Sequence, residues 1–191
     1  MLKNATILII RHGEKPPEGP GLSLAGEERA AAYVPYFENF TTPRGAHLEI
    51  THIFAAENSE ASKRPVLTVT PLAAALKLVI DDSFADSHYK KLADWILAKD
   101  SPSRNPYSDS TLLICWHHEH AIDLAEALGM PKDPAPTFPW PANHEWPEDV
   151  FGWVLIITYD DQGEIDFGRT RAVSTALMYD DYGQEPPGPV Y

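Results

Sequence analysis

Ala5-Thr6-Ile7-Leu8-Ile9-Ile10 runs straight into Arg11-His12-Gly13-Glu14-Lys15, where Pro16 and Pro17 stop it. The first six residues are apolar and rich in β-branched side chains, as a strand buried on both faces requires. Open α/β sheets bind ligands outside the carboxyl ends of their strands. An arginine beside a histidine at that place reads as an anion clamp next to a nucleophile.

A phosphoryl-transfer site needs more than this pair. It needs several cationic donors around three equatorial oxygens, and a proton for the leaving group. Two later segments offer them. Ile50 to Ala55 reads as a second strand, followed by Ser62-Lys63-Arg64-Pro65 and the stretch Val66 to Leu78. Pro65 suits the first turn of a helix. Arg64 then sits at a strand-to-helix junction, where free backbone N–H groups also favour anions. Leu112 to Trp116 is a third apolar run, and His117, His118, Glu119 and His120 lie at its end.

Arg11-His12-Gly13, then Arg64-Pro65-x-x-Thr68, then a His-Glu pair after the third strand occur in that order. Leu22-Ser23-x-x-Gly26-x-x-Arg29-Ala30 lies between the first two. Together these motifs resemble the histidine phosphatase superfamily over roughly Ile7 to Gly129. The resemblance implies a phosphoglycerate-mutase-like α/β fold, a mostly parallel sheet flanked by helices on both faces. It implies a phosphomonoester hydrolase acting through a phosphohistidine on a small phosphorylated substrate, with no cofactor and no metal. The alternative is a phosphoglycerate-mutase-type phosphotransferase.

Within that resemblance His12 is the nucleophile, its ring tautomer fixed by backbone at Gly13. Arg11 and Arg64 grip the phosphoryl oxygens with planar, bidentate forks. The second histidine is open between two neighbours. One branch of the family ends this strand in Trp-Glu-His, which aligns His118 with the catalytic ring and leaves His117 a binding residue. The acid-phosphatase-like branch places its general acid directly after that histidine, which selects Glu119. Glu14 and Lys15 are expected to contact the substrate, with Glu14 or an aspartate from Asp81 to Asp86 as substitute acids.

Two further readings differ in class. His117, His118 and His120, with His144 and Glu145, offer a transition-metal ligand set. That reading leaves Arg11, His12 and Arg64 unexplained. A non-catalytic phosphate-binding protein on the same fold is the other.

Composition narrows the partners. The formal net charge is −13, from 28 acidic and 15 basic residues, so a nucleic acid is repelled at long range. A small phosphate ester still binds where arginines decide the local field, and inorganic phosphate is the expected product. No stretch approaches the roughly 20 apolar residues of a membrane span. Lys3 precedes only a short apolar run, unlike a signal peptide. Cys115 is the sole cysteine and lies in an apolar strand, so it reads as a core residue in a reducing compartment. A cytoplasmic enzyme with one domain over 1–191 is expected.

Along the chain, Ser23 is a candidate N-cap for a helix that Pro35 should kink or end. Leu67, Leu72, Ala75, Leu76 and Val79 are expected on the apolar face of the Arg64 helix, with Pro71 interrupting it. Asp86 to Ala98 reads as a helix with Tyr89, Leu92, Trp95 and Ile96 inward, and His120 to Leu128 as another. Ser101 to Ser110 and Pro131 to Pro147 read as loops. Val150 to Tyr159 and Ile165 to Val173 read as a hairpin around Asp160 to Gly163. The Gly/Pro-rich last dozen residues read as a tail.

Overall fold

The computed structural model describes residues 1–98, 105–132, 140–141 and 145–186. His144, part of the loop expected at Ser101 to Ser110, much of the Pro131 to Pro147 loop and the end of the tail lie outside these residues. Six strands form one sheet: β1 Thr6–Arg11, β2 His52–Ala56, β3 Ile80–Phe84, β4 Thr111–Trp116, β5 Trp153–Thr158 and β6 Arg171–Ser174. Four helices connect them: α1 Leu24–Glu38, α2 Arg64–Leu76, α3 Tyr89–Leu97 and α4 His118–Ala127. The strand order is β3-β2-β4-β1-β5-β6. The pairings β2–β3, β2–β4 and β1–β4 are parallel, and β5 and β6 add antiparallel at the other side. The sheet is therefore mostly parallel, as expected.

Strand alternation divides the core. Leu8, Ile10, Leu113 and Cys115 pack with Tyr33 and Phe37 of α1 and Val69 and Leu72 of α2. Ile7, Ile9, Leu112, Ile114 and Trp116 pack with Leu92 and Ile96 of α3 and Ala121 and Leu124 of α4. Helices thus cover both faces. Each fully buried leucine or isoleucine contributes roughly 1.5–3 kcal/mol, so the central strands are the firmest scaffold available to a site at their ends. No helix among the described residues is long and apolar enough to cross a membrane.

The helices depart from expectation in instructive ways. Ser23 caps α1 by accepting from the Gly26 N–H at 3.2 Å, as its sequence position suggests. Pro35 does not end that helix. It removes only its own N–H donor, while Tyr36 and Phe37 carry the helix on by stacking with Phe40. Pro71 likewise sits inside α2. The buried face of α2 is Pro65, Thr68, Val69, Leu72 and Ala73, whereas Val79 is 88% exposed. Counting only large apolar residues rotated the expected face, because Thr68 is buried through its hydrogen bonds. Trp95 is 59% exposed on α3, with Ala93 inward in its place. The strand β3, Ile-Asp-Asp-Ser-Phe, was not expected: its two aspartates hide it, and an edge strand tolerates them.

Candidate active site

The register of β1 on β4 builds the site. Arg11 pairs with Trp116, and the His12 N–H continues the ladder by donating to the Trp116 carbonyl at 3.1 Å. The next residue on each chain is a histidine. Their rings meet edge to face, with centroids 4.9 Å apart. Arg64 opens α2 on the face that His12 and His117 share by alternation with Ile10 and Cys115. Three elements that follow or begin at neighbouring strand ends therefore bring Arg11, His12, Arg64 and His117 together.

His12 is almost fully buried, and its Nδ1 lies 2.7 Å from the Gly13 carbonyl. A carbonyl only accepts, so Nδ1 carries the proton and Nε2 keeps its lone pair. Burial, against the favourable Gly13 bond, pushes the His12 pKa down to about 3, and the nearby charges of His117, Arg11 and Arg64 add to the shift. The ring is neutral at pH 7.

Arg11 is held from the far side of the sheet. Its Nη1 donates to the carbonyls of Pro147, Glu148 and Val150 at 3.1, 2.6 and 2.9 Å. The ring of Phe151 lies 3.8 Å from its guanidinium carbon. Trp146 Nε1 donates to the same Val150 carbonyl at 2.8 Å and so steadies the cradle. Among the described residues no carboxylate forms an ion pair or hydrogen bond with Arg11. Burial lowers its pKa to about 10, partly opposed by Glu119, Glu14, Glu148 and Asp149, and it stays cationic at neutral pH. Arg64 is likewise lowered by burial. The Nε atoms of Arg11 and Arg64 are both buried without a hydrogen-bond partner among the described residues. Two such donors beside one neutral imidazole call for an acceptor.

Thr68 ties the pieces. Its hydroxyl donates to the Arg64 carbonyl at 2.8 Å and accepts from the Gly13 N–H at 2.8 Å. This explains the Arg-Pro-x-x-Thr spacing. Gly13 and Gly26 meet backbone to backbone: a Cβ on Gly26 would lie 2.5 Å from the Glu14 carbonyl oxygen. Only glycine fits there.

Several expected residues have different places. Glu14 binds Arg29 with both oxygens, the shortest contact being 2.6 Å. Lys15 is exposed and pairs with Glu148 at 3.4 Å. His117 faces His12, while His118 begins α4 in the field of Arg11. Burial lowers the pKa of both. Glu119 is 60% exposed at the first turn of α4, with Oε2 3.5 Å from His118 Nδ1, and its charge is felt by Arg11, Arg64, His117 and His118. His120 is taken away from the cluster, with Nδ1 2.8 Å from Asp86 Oδ2 and its ring stacked on Tyr89. Among the described residues no group of His, Cys, Asp and Glu gathers as a metal ligand set. His144 lies outside them.

The sequence did not expose the role of Arg29. It joins Glu14 to Asp181, with contacts of 2.6 and 2.8 Å, and Asp181 accepts further from Thr175 Oγ1, Leu177 N and Met178 N. This buried node pins the chain after β6 to α1 and to the Arg-His-Gly turn. Its only sequence signal is an arginine three residues after Gly26, within an otherwise amphipathic helix.

No protein-family model matches the chain, and no curated protein matches it by sequence. Solved structures do. A phosphoglycerate mutase from Plasmodium falciparum superposes with a TM-score of 0.51 at 15% identity, over 88% of this chain and 89% of that one. A phosphoglycerate mutase from Bacillus anthracis str. Sterne gives a TM-score of 0.51 at 13% identity, over 95% and 97%. The chain has the phosphoglycerate-mutase-like α/β fold.

Proposed function

We propose that this chain belongs to the histidine phosphatase superfamily and hydrolyses a small phosphate monoester through a phosphohistidine on His12. The observation that carries the reading is the neutral His12 ring. Its Nδ1 proton is committed to the Gly13 carbonyl, beside two arginines whose buried Nε donors have no hydrogen-bond partner among the described residues. In this reading the Nε2 lone pair attacks phosphorus and the ester P–O bond breaks. Arg11, Arg64 and His117 meet the charge on the equatorial oxygens. Glu119 gives its proton to the departing oxygen, then takes one from the water that attacks the phosphohistidine. The P–N bond breaks, inorganic phosphate leaves and His12 is restored. His118 orients Glu119 and the rim.

Hydrolysis is favoured over mutase transfer because a mutase must hold a second anionic arm of its substrate. The sequence offers no second basic cluster for that arm, and Lys15, the lysine that follows the Arg-His-Gly turn, is paired with Glu148. Phosphate release from p-nitrophenyl phosphate and a panel of sugar and alkyl phosphates tests the reading. The wild type should turn over and His12→Ala should not, with the fold retained. Interconversion of phosphoglycerates without phosphate release would establish the transferase instead.

A further inference from the structure

The opposite end of the sheet holds a second cationic concavity, independent of the His12 site. Parallel β1 starts there at Thr6, and antiparallel β5 ends there at Thr158. At about 3.3 Å per residue, the six-residue β1 separates the two ends by roughly 17 Å.

Two turns form the walls. In the first, the Thr42 N–H donates to the Ala46 carbonyl at 2.8 Å and Thr42 Oγ1 accepts from the Ala46 N–H, which lifts Arg44 onto the rim. In the second, Asp166 Oδ1 accepts from the Gly168 N–H at 2.9 Å, and the Arg169 and Thr170 N–H groups fold back onto the Asp166 carbonyl. Arg171 then enters β6 with Nη2 on the Gly168 carbonyl at 2.9 Å. The result is a cavity of about 70 Å³ lined by Arg44, Arg169 and Arg171, with Leu48 and Pro43 as its apolar side. A buried water needs only roughly 10–15 Å³ on the same measure, so the space exceeds a single solvent molecule.

The charge is unbalanced. No lining residue is acidic. Arg169 has a carboxylate, Asp166 Oδ2 at 2.6 Å. Arg171 has only a carbonyl, and Arg44 forms no ion pair or hydrogen bond with a described residue. Three arginines line one hollow, with Asp166 as the counter-charge of Arg169, in a chain whose net charge is −13. Like charges so placed repel one another, and an anion between them relieves the repulsion. Planar forks of this kind suit the oxygens of a tetrahedral oxyanion.

We propose that this hollow is a second anion site, binding the phosphate group of inorganic phosphate or of a small phosphate ester between Arg44, Arg169 and Arg171.

Amide NMR on the full chain tests it. Inorganic phosphate, and separately phenylphosphonate as a non-hydrolysable ester mimic, are titrated at constant ionic strength against chloride. The Gly45 and Gly168 amides report on the hollow, and the Gly13 amide on the His12 end. Saturable shifts at Gly45 and Gly168 are expected, and the tighter of the two anions identifies free phosphate or ester as the fitting source. In Arg44→Gln/Arg171→Gln the midpoint at Gly45 and Gly168 should weaken at least tenfold, with the Gly13 midpoint unchanged. Arg44→Gln alone, which removes no hydrogen bond to a described residue, should weaken it severalfold if the double variant does not fold. Shifts that never saturate, or that persist unchanged in the variants, would overturn the site.

Discussion

Arg11 and Arg29 are equally buried, each 1% exposed, and their guanidinium groups flank the same Phe151 ring at 3.8 and 5.9 Å. Their partners differ in kind. Arg29 is closed by two carboxylates, Glu14 and Asp181. Arg11 is held by carbonyls that satisfy its hydrogen bonds and leave its charge standing. Burial opposes the charge on both. The hydrogen bonds that Arg29 donates to Glu14 and Asp181 more than offset it at Arg29, whose pKa is raised, while that of Arg11 falls to about 10. A buried arginine with carboxylate partners is finished and structural. One with carbonyl partners keeps a fixed charge, and its Nε has no hydrogen-bond partner among the described residues.

That contrast can be broken by substitution. Arg29→Met leaves the buried Asp181 and the partly exposed Glu14 without their counter-charge, so unfolding in urea should show a loss of about 3–5 kcal/mol. A loss under about 1 kcal/mol would remove the structural role. Arg11→Met should do the opposite. Its kcat/KM should fall by about 10²–10³, as when a transition-state donor is removed. Its stability loss should be smaller than that of Arg29→Met, since only neutral carbonyls lose a partner. Equal stability losses and unchanged kcat/KM would erase the distinction.

Glu119→Gln sharpens the reading of the charge around Arg11. An alkyl phosphate should react roughly 10²-fold more slowly, because its leaving oxygen needs a proton. p-Nitrophenyl phosphate should lose much less. If both slow equally, Asp86 becomes the donor to test. Its Oδ1 is buried without a hydrogen-bond partner among the described residues and its charge acts on His117, whereas Glu14 is engaged by Arg29.

A further effect is a slope. The folded His12 pKa, about 3, lies below its ordinary 6.5. Between those values the unfolded chain takes up a proton that the folded chain refuses. Stability from this group is therefore present above pH 6.5 and is lost as pH falls toward 3, at about 1.4 kcal/mol per pH unit. Urea midpoints of His12→Gln should lack that part of the slope. In the wild type, the His12 ring should not titrate by NMR between pH 5 and 8.

Much of this was legible in the chain. The run Ala5 to Ile10, the arginine and histidine after it, and Pro65 behind Arg64 each declare local structure through residue type. The pairing of His12 with His117 was not legible, since it depends on the register Arg11 to Trp116 across the sheet. The cradle of Arg11 was hidden for another reason. It is made of backbone carbonyls more than 130 positions away, which side-chain chemistry cannot announce. The bond between Glu14 and Arg29 was not legible either, because it joins the Arg-His-Gly turn to a residue 15 positions on in α1.

The central claim is that His12 Nε2 carries the phosphoryl group. Rapid acid-free quenching with labelled substrate, followed by peptide mapping, locates the adduct directly. The account predicts an acid-labile, base-stable phosphohistidine on the peptide containing His12, formed within one turnover and absent from His12→Ala. An adduct on His117 or His118, or undiminished turnover by His12→Ala, would contradict it.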